Sequence, residues 1–496
     1  MSDIRVFLAF VVTSMLLLGG CASRPVNPPI GSYDPNSTFQ IQRSGPSKGS
    51  GQNLVILAFS GGGTRAAAFS YGVLETLREI ELTNATGRRI RLLDEVDAIT
   101  GVSGGSFTAL AYGLYGEKLF DDYEKRFLKR NVQGELLGRL FNPGNWGALW
   151  FTGWGRSELA ADLYDEILFN GATFADLWRA GGPLIAVSAT DIATGSRLGF
   201  TRLNFDILCA DLGVIRLSRA AAASSAVPVV LSPVTIDNYG GSCGYTMPPW
   251  TKLFLENPDP PRPAARILGR LAELRGYEDL TNERYLHLVD GGVSDNVGLR
   301  GVLEIVSVFE TLHEAGVHTQ LDDVKRIVVF VVNSLSVPSL NWNELENPPG
   351  TVPILIKAAG VPIDRYSGES IELLKDIAAR WKSLRQIRDS AAFATDKDPA
   401  VAYVKNAPNA DLYVIDVSFS ALKDKGERAY LNQLPTTFVL PDEAVDRLRA
   451  AAKKLIVESP DFQRVLKDAG ARMVPAAAGA SPQPSAAAAP AAVAPR

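Results

Sequence analysis

Two hydrophobic patterns alternate along the chain. Short continuous apolar runs, of the kind shown by a strand buried on both faces, lie at Asn53–Phe59 (NLVILAF), Pro183–Ala189 (PLIAVSA), Tyr285–Val289 (YLHLV), Arg326–Val332 (RIVVFVV) and Leu412–Phe419 (LYVIDVSF). Asp97–Thr100 reads as the end of a further strand. Helical stretches separate the strands, among them Thr64–Leu82 and Phe107–Tyr115. Strands alternating with helices imply βαβ crossovers and a central sheet covered on both faces. Glu369–Arg388 places Leu374, Ile377, Trp381 and Leu384 on one helical face, with Lys375, Lys382, Arg385 and Arg388 elsewhere. That pattern suits a surface helix with a solvated face or a helix touching anionic lipid. No internal repeat and no composition break after residue 335 divides the chain, so residues 51–473 read as one domain.

The ends read differently. In residues 1–20 one arginine, Arg5, precedes an uncharged stretch from Val6 to Gly20, which has the length and flanks of a signal peptide. The following Leu18-Gly19-Gly20-Cys21 resembles the bacterial lipobox. That resemblance implies a diacylated Cys21 as mature N-terminus and a lipid-anchored protein of the bacterial cell envelope. Ala22 after Cys21, rather than Asp, points by analogy to the outer membrane. The Pro-, Ser-, Gly- and Asn-rich residues 21–50 read as a flexible tether. The Ala/Pro residues 474–496 cannot form a continuous helix or a core and read as a disordered tail.

Composition narrows the function. With 50 Lys+Arg against 54 Asp+Glu the net charge is -4, and the basic excess of a nucleic-acid binder is missing. Three cysteines are too few for a disulfide-built scaffold. Cys209 and Cys243 sit in polar or Gly-rich loops, and an oxidising compartment leaves a disulfide or two separate thiols open. Trp146, Trp150 and Trp154 cluster within nine positions, either as a lipid-facing lip or as packing residues.

Three glycine-rich turns carry the candidate chemistry. Gly101-Val102-Ser103-Gly104-Gly105 is a Gly-x-Ser-x-Gly between strand and helix. A nucleophile must project from such a sharp turn, where flanking side chains would clash. The helix after Ser103 aims its free N–H groups at developing negative charge, with Gly104 a candidate oxyanion donor. Ser60-Gly61-Gly62-Gly63-Thr64-Arg65 occupies a second strand-to-helix junction. Its backbone suits a phosphate cradle or an oxyanion hole. It lacks a Gly-Lys-Ser/Thr ending, and Ala66 stands where a dinucleotide fingerprint needs its last glycine. Arg65 is placed to orient the loop or meet an anionic group. Finally, Asp290-Gly291-Gly292 puts a carboxylate at a strand end, where sites of parallel sheets assemble. A histidine to link serine and aspartate is hard to find among the three present. His287 should point away from Asp290, and His313 and His318 lie in a helix-and-turn stretch. A direct Ser–Asp dyad needs no histidine.

Glycine loop, Gly-x-Ser-x-Gly and Asp-Gly-Gly, in this order, resemble the patatin-like phospholipase family. Ala189-Thr190-Asp191, Ala223-Ser224-Ser225-Ala226-Val227-Pro228 and Leu434-Pro435-Thr436-Thr437-Phe438 agree with it. The resemblance covers about residues 53–335 as a motif core, with 336–473 extending the same sheet. It implies a three-layer α/β/α sandwich with a mostly parallel sheet, and hydrolysis of lipid acyl esters without a metal or other cofactor. It further implies Ser103 as nucleophile and Asp290 as its partner, with Gly61, Gly62 and Gly63 framing the oxyanion hole. Arg65, Gly101, Gly105, Gly291 and Gly292 support the motifs. The expected partners are membrane lipid as substrate and the membrane through the anchor, with no nucleic acid. Two rival readings stand beside it: an acyltransferase or thioesterase using the same dyad, and a non-catalytic lipid-binding envelope lipoprotein.

Overall fold

The computed structural model describes residues 24–35, 51–83, 87–146 and 154–474, apart from 229, 257, 259–263, 318, 339, 392 and 394–400. The signal peptide, Cys21, Trp150, His318 and nearly all of the C-terminal tail lie outside them.

Eleven strands form among the described residues: β1 (Asn53–Phe59), β2 (Ile80–Thr83), β3 (Arg89–Arg91), β4 (Val96–Val102), β5 (Leu184–Asp191), β6 (Arg197–Phe200), β7 (Val234–Asp237), β8 (Tyr285–Asp290), β9 (Arg326–Asn333), β10 (Asp411–Ser418) and β11 (Arg472–Met473). The main sheet has the order β10-β9-β1-β4-β5-β8-β7, with β6 also on β5. The run from β10 to β5 is parallel. β6, β7 and β8 join it antiparallel. β2, β3 and β11 make a small separate sheet.

The fully apolar strands sit at the centre because both their faces are covered. Val55, Leu57 and Phe59 of β1 enter one core with residues of the helices Gly63–Arg78, Gly104–Tyr115 and Asp442–Glu458. Ile56 and Ala58 point the other way, into a second core with Val302, Val306 and Phe309 of the helix Arg300–Glu314. The two cores on opposite faces are the physical content of an α/β/α sandwich. β10 pairs β9 in parallel over its whole length, so the chain beyond residue 335 does extend the same sheet.

Two expectations change. The helix anticipated from Glu369 runs from Thr351 to Arg388, through Pro362. It is the surface helix with a solvated face, Lys382 lying exposed, and its apolar face packs on the domain rather than on lipid. Ile371, Leu374, Ile377 and Trp381 are buried in the second core, while the earlier turns leave Val361 and Tyr366 exposed. The second change concerns the tether. Residues 24–35 lie against the domain as a strap. Arg24 grips Asp237 with two hydrogen bonds of 2.6 and 2.7 Å. Asn27 is buried and exchanges hydrogen bonds with the backbone of Asp237. The Tyr239 hydroxyl donates to the Asn27 carbonyl, and the Asp211 amide to that of Pro28. Polar composition alone suggests flexibility; partners far away in the sequence supply the order. A disulfide joins Cys209 to Cys243. The strap amides of Ile30 and Tyr33 donate to the carbonyls of these same two cysteines.

Candidate active site

The site forms where two strands meet end to end. On one edge of β5, Val102 of β4 lies opposite Ser188. Ser188 and Ala189 meet Gly199 and Leu198 of β6 on their other edge. Ala189 lies opposite Asp290 of β8, which runs antiparallel. β4 and β8 therefore approach each other along the same edge of β5 and stop one residue apart. The residue after β4 is Ser103 and the last residue of β8 is Asp290, so their side chains are brought together.

Ser103 caps the helix Gly104–Tyr115 with φ 46° and ψ -119°. A side chain in this region is strained by roughly 1–3 kcal/mol. The surroundings hold it there. The Ser103 amide donates to Ser224 Oγ at 2.8 Å, and Ser224 Oγ donates to the Ser188 carbonyl at 2.7 Å. The Ser106 amide and hydroxyl both donate to the Ser103 carbonyl. The Ser103 side chain is 5% exposed.

Asp290 is 8% exposed. The Gly292 amide donates to its Oδ1 at 2.7 Å, and the Ser103 hydroxyl lies beside the same carboxylate. Burial pushes the Asp290 carboxyl up to about 6, against the opposing pull of the Gly292 amide and the Ser103 hydroxyl. A carboxylate titrating there is ionised at neutral pH yet basic enough to accept a hydroxyl proton.

The glycine loop lies against this pair. A Cβ on Gly61 would contact the Cβ of Ser103. The Gly61 amide, however, donates to the Asn296 carbonyl at 2.8 Å. It cannot serve as an oxyanion donor, which corrects that part of the expectation. Among the described residues the amides of Gly62, Gly63 and Gly104 meet no acceptor, so these three are free to meet a ligand. Two of the glycines are obligatory. Gly63 has φ 60° and a Cβ there would strike the Thr437 carbonyl; a Cβ on Gly104 would strike the Gly63 carbonyl. Gly101 packs on Ser106, Gly105 on the carbonyls of Phe59 and Ser60, and Gly291 on the Ser188 carbonyl.

Arg65 is buried beneath the loop. Its guanidinium donates to the carbonyls of Ser334 and Leu434 and to Thr436 Oγ1. Burial lowers it to about 10. It orients the loop by tying it to two distant segments. Ser334 Oγ adds a hydrogen bond to the Gly61 carbonyl at 3.0 Å. Ser224, Asn296 and Ser334 thus belong to the site, and no motif singled out Asn296 or Ser334.

The two described histidines are elsewhere. His287 Nδ1 pairs with Thr235 Oγ1 and His313 Nε2 with Asp322. Trp146 is half-exposed and donates to the Leu140 carbonyl, a local packing contact. Among the described residues no group of three or more His, Cys, Asp or Glu side chains is placed to hold a metal ion, and no helix is long and apolar enough to cross a membrane.

Residues 57–303 match the family model for patatin-like phospholipase. The chain is similar in structure to human GIVD cytosolic phospholipase A2, with 13% identity and a TM-score of 0.36 over 85% of this chain and 60% of that one. It is also similar to VipD from Legionella pneumophila, with 11% identity and a TM-score of 0.29 over 90% of this chain and 71% of that one. The chain thus spans well under two thirds of the human protein's length. No curated protein matches the sequence.

Proposed function

From a chain whose residues 57–303 are a patatin-like phospholipase domain, we propose a lipid-anchored serine acyl hydrolase that cleaves fatty-acyl esters of lipids through Ser103 and Asp290. The observation carrying this reading is the placement of Ser103 and Asp290 at the facing ends of β4 and β8 on one edge of β5, with the buried Asp290 carboxyl raised to about 6.

Asp290 takes the Ser103 proton as Oγ attacks the ester carbonyl. The oxyanion of the tetrahedral intermediate sits among the amides of Gly62, Gly63 and Gly104, each such donor being worth about 2.7–4 kcal/mol. Collapse breaks the bond to the lipid alcohol, which leaves with the proton returned by Asp290. Water then gives a proton to Asp290 and attacks the acyl-enzyme, releasing the fatty acid and restoring Ser103. Acylation of Cys21 supplies the attachment: each buried CH₂ adds about 0.8 kcal/mol, so several chains hold the protein to a membrane. The cell envelope, outer membrane included, is the location this implies.

The test is fatty-acid release from a panel of phospholipids and neutral glycerides. The intact protein is expected to liberate fatty acid, while Ser103→Ala and Asp290→Asn do not and stay folded by circular dichroism. Full activity in either variant would refute the dyad. Acyl transfer to an added alcohol outrunning hydrolysis would favour a transferase.

A further inference from the structure

The docked strap begins close to the proposed anchor. Only Ala22 and Ser23 separate Cys21 from Arg24, and three residue steps of extended chain span at most about 11 Å. Arg24 is pinned, because its guanidinium grips both carboxylate oxygens of Asp237, the last residue of β7. Asn27 is buried just after it and exchanges hydrogen bonds with the Asp237 backbone. A free tether over residues 21–50 would have an r.m.s. reach of about 30 Å. Docking at Arg24 leaves roughly a third of that.

Arg24 sits at an amphipathic corner. β7 is an edge strand of the main sheet, and its Asp237 lies opposite Tyr285, the first residue of β8. The exposed Tyr285 ring meets two guanidinium groups, those of Arg24 and Arg284, each 5.5 Å from its centre. Val26 on the strap is 61% exposed, and Leu280 is exposed in the turn before β8. Asn238 holds that turn against the end of β7 by donating to the carbonyls of Tyr277 and Glu283. Tyrosine and apolar side chains mixed with arginines have the composition of a membrane–water interface. Glu278 and Glu283 in the same turn give the corner both signs of charge, which suits a zwitterionic headgroup layer.

The corner stands at the same end of the sheet as the active site. Leu288 lies opposite Asp191, the last residue of β5, so Tyr285, Leu286 and His287 project past that end. β8 then runs back to Asp290, about 17 Å along the strand from Tyr285.

We propose that the corner of Arg24, Val26, Leu280, Arg284 and Tyr285 rests in the headgroup layer of the membrane that holds the acyl chains of Cys21. The strap is then a short mooring, and it turns the Ser103 end of the sheet toward the leaflet in which the protein is anchored. The inference rests on the lipid-anchor part of the hydrolase reading and adds an orientation to it.

The experiment uses the full-length protein from a host that processes lipoproteins, reconstituted in phosphatidylcholine vesicles that contain a nitroxide-labelled lipid. A fluorophore is placed on Leu280→Cys and, as a control, on Thr83→Cys. Thr83 is exposed at the end of β2, beyond the helix Gly63–Arg78 that carries the chain about 24 Å away from the glycine loop. Intact mass reads the acylation of Cys21. The expected result is loss of most of the Leu280→Cys fluorescence to the lipid nitroxide, with little loss at Thr83→Cys. A Gly/Ser spacer of about 20 residues between Ser23 and Arg24, with an r.m.s. span of about 25 Å, leaves every described strap contact in place and should relieve the quenching. In acylated protein, no quenching at Leu280→Cys, or equal quenching at the two positions, overturns the mooring and leaves the anchor standing. Quenching that survives the spacer overturns it too, because the corner then adheres by itself. Cys21 without acyl chains overturns anchor and mooring together. None of these readouts depends on hydrolysis, so the roles of Ser103 and Asp290 are tested apart from them.

Discussion

Ser103 and Asp290 face each other because the strands that carry them end head-on along one edge of β5, opposite Ser188 and Ala189. The 186 positions between them in sequence are closed by two successive backbone ladders, so the pair is positioned by regular sheet and needs no long loop to find its partner. Sites built on strands hold their geometry better than sites on loops.

Ser224 fixes the turn from below. It accepts from the Ser103 amide and donates to the Ser188 carbonyl. Ser224→Ala leaves the buried amide without an acceptor, which costs roughly 1–3 kcal/mol. The expected outcome is a lower denaturation midpoint and a lower kcat at nearly constant KM. Steady-state kinetics with chemical denaturation check it; unchanged kcat would mean that Ser103 holds its turn without this contact.

Asp290 sets the pH dependence. As a base it must be ionised, so activity should fall below its raised value of about 6 and level off above it. Stability runs the other way. A carboxyl raised in the folded state contributes stability that is full below its unfolded value of 3.8 and is lost as pH rises through about 6. Asp290→Asn keeps an oxygen for the Gly292 amide and carries no charge. It should be inactive yet more stable than the parent at pH 8, by an amount on the order of 2 kcal/mol, and converge on it near pH 4. Thermal melts across pH decide; a variant no more stable at pH 8 would show that the carboxylate is well solvated.

Gly104 lies where the serine turn and the glycine loop meet. Alanine there would push the Gly63 carbonyl away and open the oxyanion hole. Gly104→Ala should lose stability by roughly 1–3 kcal/mol and nearly all activity. Equal activity in the alanine variant, measured by ester hydrolysis at a temperature where it is folded, would exclude this contact from the site.

The Cys209–Cys243 disulfide and the strap form one unit, since Ile30 and Tyr33 hydrogen-bond to the two cysteine carbonyls. The bond closes a 34-residue separation, for which chain entropy gives about 3–4 kcal/mol. Reduction, or Cys209→Ser with Cys243→Ser, should lower the denaturation midpoint and expose residues 24–35 to protease. Limited proteolysis with and without reductant, read by mass spectrometry, checks it. A strap equally resistant in both conditions would show that its own contacts, led by Arg24 on Asp237, are enough.

The sequence by itself determined the strands β1, β4, β5, β8, β9 and β10, the three glycine-rich turns and the candidates Ser103 and Asp290; the short strands β2, β3, β6, β7 and β11 were not legible, and Ile80–Leu82, read as helix, falls in β2. The legible features are local: an apolar run buries itself, and a sharp turn admits only small residues. The sequence could not show that the Gly61 amide is taken by Asn296, because that pairing joins two segments far apart in the sequence. It left open whether the helix of Leu374, Ile377 and Trp381 touched lipid, since periodicity reports that a face exists and not what covers it; the second core covers it. Polar residues 24–35 read as loose for the same reason. Tertiary structure decided that Asp237, Cys209 and Cys243 would lie beneath them, and distant partners of this kind turn a permissive segment into a fixed one.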